Sequence, residues 1–394
     1  MMVRRLPVVI LTFMAALLLV PSLAIAQEAT PVGGMGTVVA SALTNPRGIT
    51  WGPDGAMYVA LAGSGGSTAA TEQAPTSQIL GPFMGGSTGA VARIDGGCPV
   101  AVVTGLPSTV DAMGEVLGAE DVAFLNGDMY VAADGGGPVH GNPDSPAGIF
   151  KADGNGGFTL VADLSQWLRD NPVATQPPDY DPDADGYRMV ADDAAGVLWV
   201  LEPNSGGLLT VAPDGTVKRV ADLSDGHPVP SAIAMGSDGN LYIGNLTAVP
   251  FANGAAKVIM VTPDGTVSDV WTGLTTVTGL AQGSDGSWYA LELSTDNLDA
   301  PPFLNFGSGK IVKMTGPDSS EDVVTGLMLP IDLQIGTDGA FYVSMPAIGA
   351  NNGEGAIMRY GMGGSDSSTP MAMDCTPVEE TLSPAASPVA SPAV

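Results

Sequence analysis

Gly48-Ile49-Thr50-Trp51-Gly52-Pro53-Asp54-Gly55-Ala56-Met57-Tyr58-Val59 reads as an apolar strand, a tight turn and a second strand led by an aromatic residue. The phrase returns at Asp121-Val122-Ala123-Phe124-Leu125-Asn126-Gly127-Asp128-Met129-Tyr130-Val131 and, without its Asp-Gly turn, at Met189-Val190-Ala191-Asp192-Asp193-Ala194-Ala195-Gly196-Val197-Leu198-Trp199-Val200. Clean copies follow at Ser237-Asp238-Gly239-Asn240-Leu241-Tyr242-Ile243, Ser284-Asp285-Gly286-Ser287-Trp288-Tyr289-Ala290 and Thr337-Asp338-Gly339-Ala340-Phe341-Tyr342-Val343. Asp-Gly and Asn-Gly supply the positive φ angles of a two-residue hairpin, and the flanking β-branched and aromatic residues suit strands buried on both faces. Repetition at this period predicts one blade per copy, hence six blades.

A second hairpin follows the first five copies, at Val91 to Gly97, Ile149 to Gly154, Leu209 to Gly215, Ile259 to Gly265 and Ile311 to Gly316, so each blade has four antiparallel strands. The outer strands share the pattern of Val102-Val103-Thr104-Gly105-Leu106, and the last blade, ending at Ile357-Met358-Arg359-Tyr360, lacks one. Its missing strand stands at the start, Val38-Val39-Ala40-Ser41-Ala42-Leu43. The sequence therefore predicts an all-β, six-bladed propeller over 27–361, closed by pairing its N-terminal strand with the last blade, which removes an open seam.

Ahead of that strand, Arg4 and Arg5 precede an apolar run from Leu6 to Val20 and the small-x-small site Ala24-Ile25-Ala26. This is the pattern of a secretory signal peptide over 1–26, too short in its apolar core for a spanning helix, and it predicts a secreted or envelope-associated monomer with no membrane span. Removing it takes two basic residues and no acid, so a formal net charge already at −28 becomes more negative. Nucleic acid and anionic membranes are thereby repelled as partners. Beyond Tyr360 the composition turns to Gly, Ser, Thr and Pro, predicting an extended or disordered tail over 362–394. The two cysteines, Cys98 and Cys375, are either a disulfide or two free thiols; spacing alone leaves both readings open.

The opening Val38-Val39-Ala40-Ser41-Ala42-Leu43-Thr44-Asn45-Pro46-Arg47-Gly48-Ile49, the turn Gly52-Pro53-Asp54-Gly55, the strand Tyr58-Val59-Ala60 and the acidic, Pro-rich insertion before Tyr187 resemble the ScyD/ScyE family of secreted bacterial propellers, relatives of NHL-repeat and gluconolactonase-type propellers. The resemblance spans about 37–360 and implies fold and export, with no particular chemistry attached.

In such a ring the inner strand of each blade starts at the top face and the second strand returns to it, so sites collect at the top mouth. Counting back from the hairpins places Arg47, Glu120 with Asp121, Arg188, Ser231, Thr278 and Asp332 there. Counting three residues on from the aromatic anchors gives Glu202, Asn245 and Glu292 in successive blades. Carboxylate and amide oxygens suit calcium, and the gluconolactonase-type resemblance implies a cation in this region; pairing with Arg47 and Arg188 is the competing reading. Asp181-Pro182-Asp183-Ala184-Asp185-Gly186 matches the start of a calcium loop, with Asp192 at the final-ligand offset.

Asp121 and Asp332 are candidate acid/base groups, and His227, just before an inner strand, is preferred over His140, since neither has an orienting partner visible in the sequence. No nucleophile elbow, phosphate loop or catalytic cysteine is present. Two functions follow: a noncatalytic recognition module for a small molecule, protein or glycan at the top face, with Arg47, Glu120 and Arg188 meeting the ligand, or a calcium-assisted hydrolase or lyase of a small lactone or sugar-like metabolite.

Overall fold

A computed structural model describes residues 36–361 and 374–378, and the expected signal segment and most of the expected tail lie outside them. Six antiparallel sheets follow one another along the chain. Blade 1 runs Pro46–Trp51, Met57–Leu61, Met84–Asp95 and Cys98–Val110, blade 2 from Ala119–Leu125 to Phe158–Asp163, blade 3 from Arg188–Asp192 to Val217–Asp222. Blades 4 and 5 begin at Pro230–Met235 and Val277–Gln282, and blade 6 at Asp332–Ile335. The last of these holds Phe341–Met345, Gly355–Tyr360 and, from the other end of the chain, Thr37–Leu43. Closure is antiparallel, with Thr37 opposite Arg359, Val38 opposite Met358 and Leu43 opposite Gly355.

The repeated phrase has a side-chain cause as well as a backbone one. Asp54 Oδ1 accepts from the Ala56 amide at 3.0 Å while its Oδ2 accepts from the Tyr58 hydroxyl at 3.2 Å. Asp238 does the same with Asn240 and Tyr242, and Asp338 with Ala340 and Tyr342. One carboxylate thus satisfies the turn and anchors the aromatic that opens the next strand. Blade 3 uses a longer turn for the same end: Asp192 accepts from the Ala195 amide and from the Trp199 indole N–H. That assignment overturns Asp192 as the final ligand of a calcium loop, because both carboxylate oxygens already serve the hairpin at the opposite end of its strand from Arg188.

Aromatic and aliphatic side chains fill the seams between blades. Trp51 meets Tyr342 edge-on at 5.2 Å across the closure, and Tyr58 meets Phe124 at 5.0 Å between blades 1 and 2. Within the segment expected to be a tail, Asp374 to Val378 is docked on the ring: Val378 is buried against Ala40 and Leu43, and Cys375 is joined to Cys98 with Cα atoms 5.3 Å apart. A staple therefore links the outer hairpin of blade 1 to a segment lying on the closing strand. Among the described residues, no helix is long and apolar enough to cross a membrane.

Candidate functional site

At the channel, the inner strands present a sealed polar layer. Arg47, Glu120, Asp121, Arg188 and Asp332 are all buried. Arg47 pairs with Glu120 at 2.9 Å and also donates to the Ala347 and Val116 carbonyls. Arg188 reaches out of blade 3, donating to the Glu120 carbonyl at 3.1 Å and to the Ile331 carbonyl at the entrance of blade 6 at 2.7 Å. Burial works against its charge, and Asp332, Tyr187 and Asp121 outweigh it. Asp121 accepts from the Met189 amide of blade 3 and Asp332 from the Ile49 amide of blade 1, so these carboxylates lock neighbouring inner strands. Ser231 and Thr278 continue the ring by donating to the Val277 and Pro330 carbonyls of the following blades.

Gly48 is required at this level: a Cβ there would lie 1.9 Å from Asp121 Oδ1. Arg47, Glu120 and Arg188, expected to meet a ligand, are consumed by protein partners. Asp121 and Asp332, expected as acid/base groups, are structural acceptors.

The three strand-end residues are each held separately. Glu202 accepts from the Ser205 hydroxyl and amide and from the Asp185 amide. Asn245 accepts from the Lys257 amide at 2.8 Å and donates to the Pro228 carbonyl. Glu292 accepts from the Thr275 amide and pairs with Lys310 at 3.5 Å. Calcium needs six or more free oxygen ligands converging on one point, and these side chains offer oxygens already spent on their own connections. They do not fit a shared calcium ion.

What the fold does bring together is Glu202 and the acidic loop. Asp185 lies among Asp181, Glu202 and, from the loop after the second strand of blade 2, Asp134 and His140. Asp134, His140 and Asp185 each offer one ligand atom, all within 4.8 Å of one another. His140 is fully buried, edge-on to Phe83 at 4.7 Å, and its Nδ1 lies 2.9 Å from the Gly136 carbonyl. Its Nε2 is 3.4 Å from Asp181 Oδ2, and neither atom completes a hydrogen bond. Asp185 is the partly exposed member of the group.

Burial pushes the carboxyls of Asp134 and Asp185 far above the usual range, and each is raised further by its acidic neighbours. Burial alone would lower the His140 imidazole, but Asp181 dominates and lifts it to about 9. Asp183 stands outside the group: it accepts from Arg169 and from the Val139 amide, packed so closely on Gly137 that a Cβ there would lie 2.3 Å away. Gly137 also holds a φ of +91°, which favours glycine. His227, the preferred histidine, lies apart and pairs with Asp179 at 3.0 Å.

Asp134 escaped the sequence reading because counting three residues past Tyr130 stops at Ala133. Its signal is Tyr130-Val131-Ala132-Ala133-Asp134, one step further.

Above the sealed layer, apolar side chains cap the mouth: Leu293, Leu304, Leu329 and Ile331 pack with Tyr187 and Phe251. Beside this cap the loops expose Val249, Leu298, Phe306 and Met328, each between 45% and 53% accessible. Loops 246–255 and 293–308 are tied by Asn297 N–H donating to Asn253 Oδ1 at 2.9 Å, and Gly307 lies against Met328.

No protein-family model matches the chain. A virginiamycin B lyase of Nocardia farcinica is 37% identical over 98 residues, 24% of this chain, and the chain spans about 30% of the length of that curated relative. The calcium-binding protein regucalcin of Agrobacterium tumefaciens superposes with a TM-score of 0.51 at 14% identity, over 83% of this chain and 94% of its own. A glucose dehydrogenase of Thermus thermophilus gives 0.52 at 16%, over 83% and 99%. At these identities the superpositions establish the shared propeller architecture.

Proposed function

We propose that the protein is an exported, monomeric recognition module whose top face binds a neutral or cationic, partly apolar ligand, with the ring as a rigid support. One observation carries this reading: Val249, Leu298, Phe306 and Met328 stand exposed on adjoining top-face loops of a strongly acidic chain, around an apolar cap. Exposed apolar groups clustered on one face mark interaction sites, and the net charge of −28 disfavours anionic partners. The resemblance to the ScyD/ScyE family and the pattern at 1–26 support export.

The test is titration with Nile red, a neutral apolar dye whose fluorescence rises on leaving water. The parent protein brightens it saturably, and Phe306→Ser with Met328→Ser removes most of that gain while the melting temperature holds. A parent that leaves the dye dark, or a gain that survives both substitutions, overturns the assignment.

A second reading, a calcium-assisted hydrolase or lyase of a lactone or sugar-like metabolite, is favoured by the match to a virginiamycin B lyase. In it Glu202, Asn245 and Glu292 would hold the calcium and Asp121 or Asp332 would move the proton. It is the weaker reading because these groups are buried and engaged with protein donors.

A further inference from the structure

Asp134, Asp181 and Glu202 surround Asp185, and among the described residues the ion pairs to these four carboxylates come from His140 alone. Gathering that much acid away from water is costly unless protons or a cation occupy it. The arrangement is more specific than an acidic patch. His140 Nδ1 lies at hydrogen-bond distance from the Gly136 carbonyl, which fixes the ring through that nitrogen and leaves Nε2 facing the carboxylates. This atom, and Asp181 Oδ2 at 3.4 Å from it, are fully buried without completing a hydrogen bond to any group. A metal ion binding here would take the place of the proton that Asp181 favours on the imidazole.

We propose that Asp134, His140 and Asp185, with Asp181 at their edge, form a site for a divalent transition-metal ion such as zinc or manganese. The donor set decides the class: an imidazole nitrogen suits first-row transition metals, whereas calcium takes oxygens in larger number. Three protein donors within 4.8 Å match the small coordination shell of such an ion, and the half-buried Asp185 marks where it and a water would enter. The Asp185 amide donates to Glu202 at 3.2 Å, and the Gly136 carbonyl orients the imidazole, so the ligands have supports of their own. An ion here ties the loop after the second strand of blade 2 to the acidic loop that leads into blade 3. This inference is independent of the recognition reading.

The experiment is equilibrium dialysis of the chelator-stripped mature protein against zinc, manganese and calcium in turn, with elemental analysis and a melting curve for each. One equivalent of zinc or manganese is expected, bound at least tenfold more tightly than calcium, with a rise in melting temperature. His140→Gln and Asp185→Asn should each weaken binding tenfold or more. Should His140→Gln fail to fold, Asp185→Asn at the open edge still decides. No stoichiometric transition metal, calcium bound as tightly as zinc, or binding unchanged in Asp185→Asn would each overturn the site.

Discussion

The guanidinium of Arg188 donates to the carbonyl of Ile331 at 2.7 Å, joining the inner strand of blade 3 to the entrance of blade 6. In a six-membered ring these blades face each other, so one side chain spans the channel and closes it. The same guanidinium is the charge partner of Asp121 and Asp332.

Replacing Arg188 by Met would keep the length and remove the charge, stranding two buried carboxylates. Loss of one partner from a buried ionic group costs about 3–5 kcal/mol. Urea unfolding should show that loss, and a change under 1 kcal/mol would mean the channel is not sealed by this residue.

Gly48→Ala tests the same layer from the opposite wall. Its Cβ would meet Asp121 Oδ1 at 1.9 Å, so the carboxylate must shift from the amides it accepts from. Overpacking of this kind costs about 1–3 kcal/mol, and a neutral substitution would contradict the packing.

Stability should also depend on pH through Asp121. Burial, then Asp332, raise its carboxyl to about 7 against the pull of Arg188. Its folded value lies above its unfolded one, so the stability it contributes is full below about pH 4 and lost as pH rises through about 7. Asp121→Asn should flatten that slope between pH 4 and 7 in a series of melting curves. An unchanged slope would show that Asp121 is ionised throughout.

Most of the ring is legible in the sequence because its repeat is chemical as well as conformational. Asp54, Asp238 and Asp338 each serve a turn and a tyrosine, so the phrase recurs nearly verbatim and fixes blade number and register. Closure is legible for a related reason: the strand at Val38 to Leu43 carries the outer-strand pattern that the last blade lacks. The top face is less so, since its residues are placed by long connections with no period.

Counting along strands finds Glu202, Asn245 and Glu292, yet they are held by separate partners, and of the three Glu202 alone is bonded to the acidic loop. Asp134 and His140 come to Asp185 only because two loops fold onto each other. Likewise, nothing in the spacing of Cys98 and Cys375 announces that Val378 docks beside Leu43 and carries the second cysteine into reach.

That staple gives a further prediction. Cys375→Ser should cost about 2–4 kcal/mol while leaving the ring folded, and the denatured, unreduced parent should titrate no free thiol. Two thiol equivalents would remove the staple. Deleting Thr37 to Leu43 should cost more than Cys375→Ser and yield associated species on gel filtration, because it bares the edge of Gly355–Tyr360. Equal melting temperatures for the two variants would contradict closure by that strand.

The claim that the ring supports recognition and not turnover is tested most directly by a turnover assay. Purified protein starting at Gln27, supplied in turn with calcium, manganese and zinc, is incubated with δ-gluconolactone and with a macrocyclic lactone, and product is followed by mass spectrometry. The account predicts ring opening at the rate of the protein-free buffer under every condition. Metal-dependent ring opening that is lost in Glu202→Gln or Asp121→Asn would contradict it and establish the channel mouth as an active site.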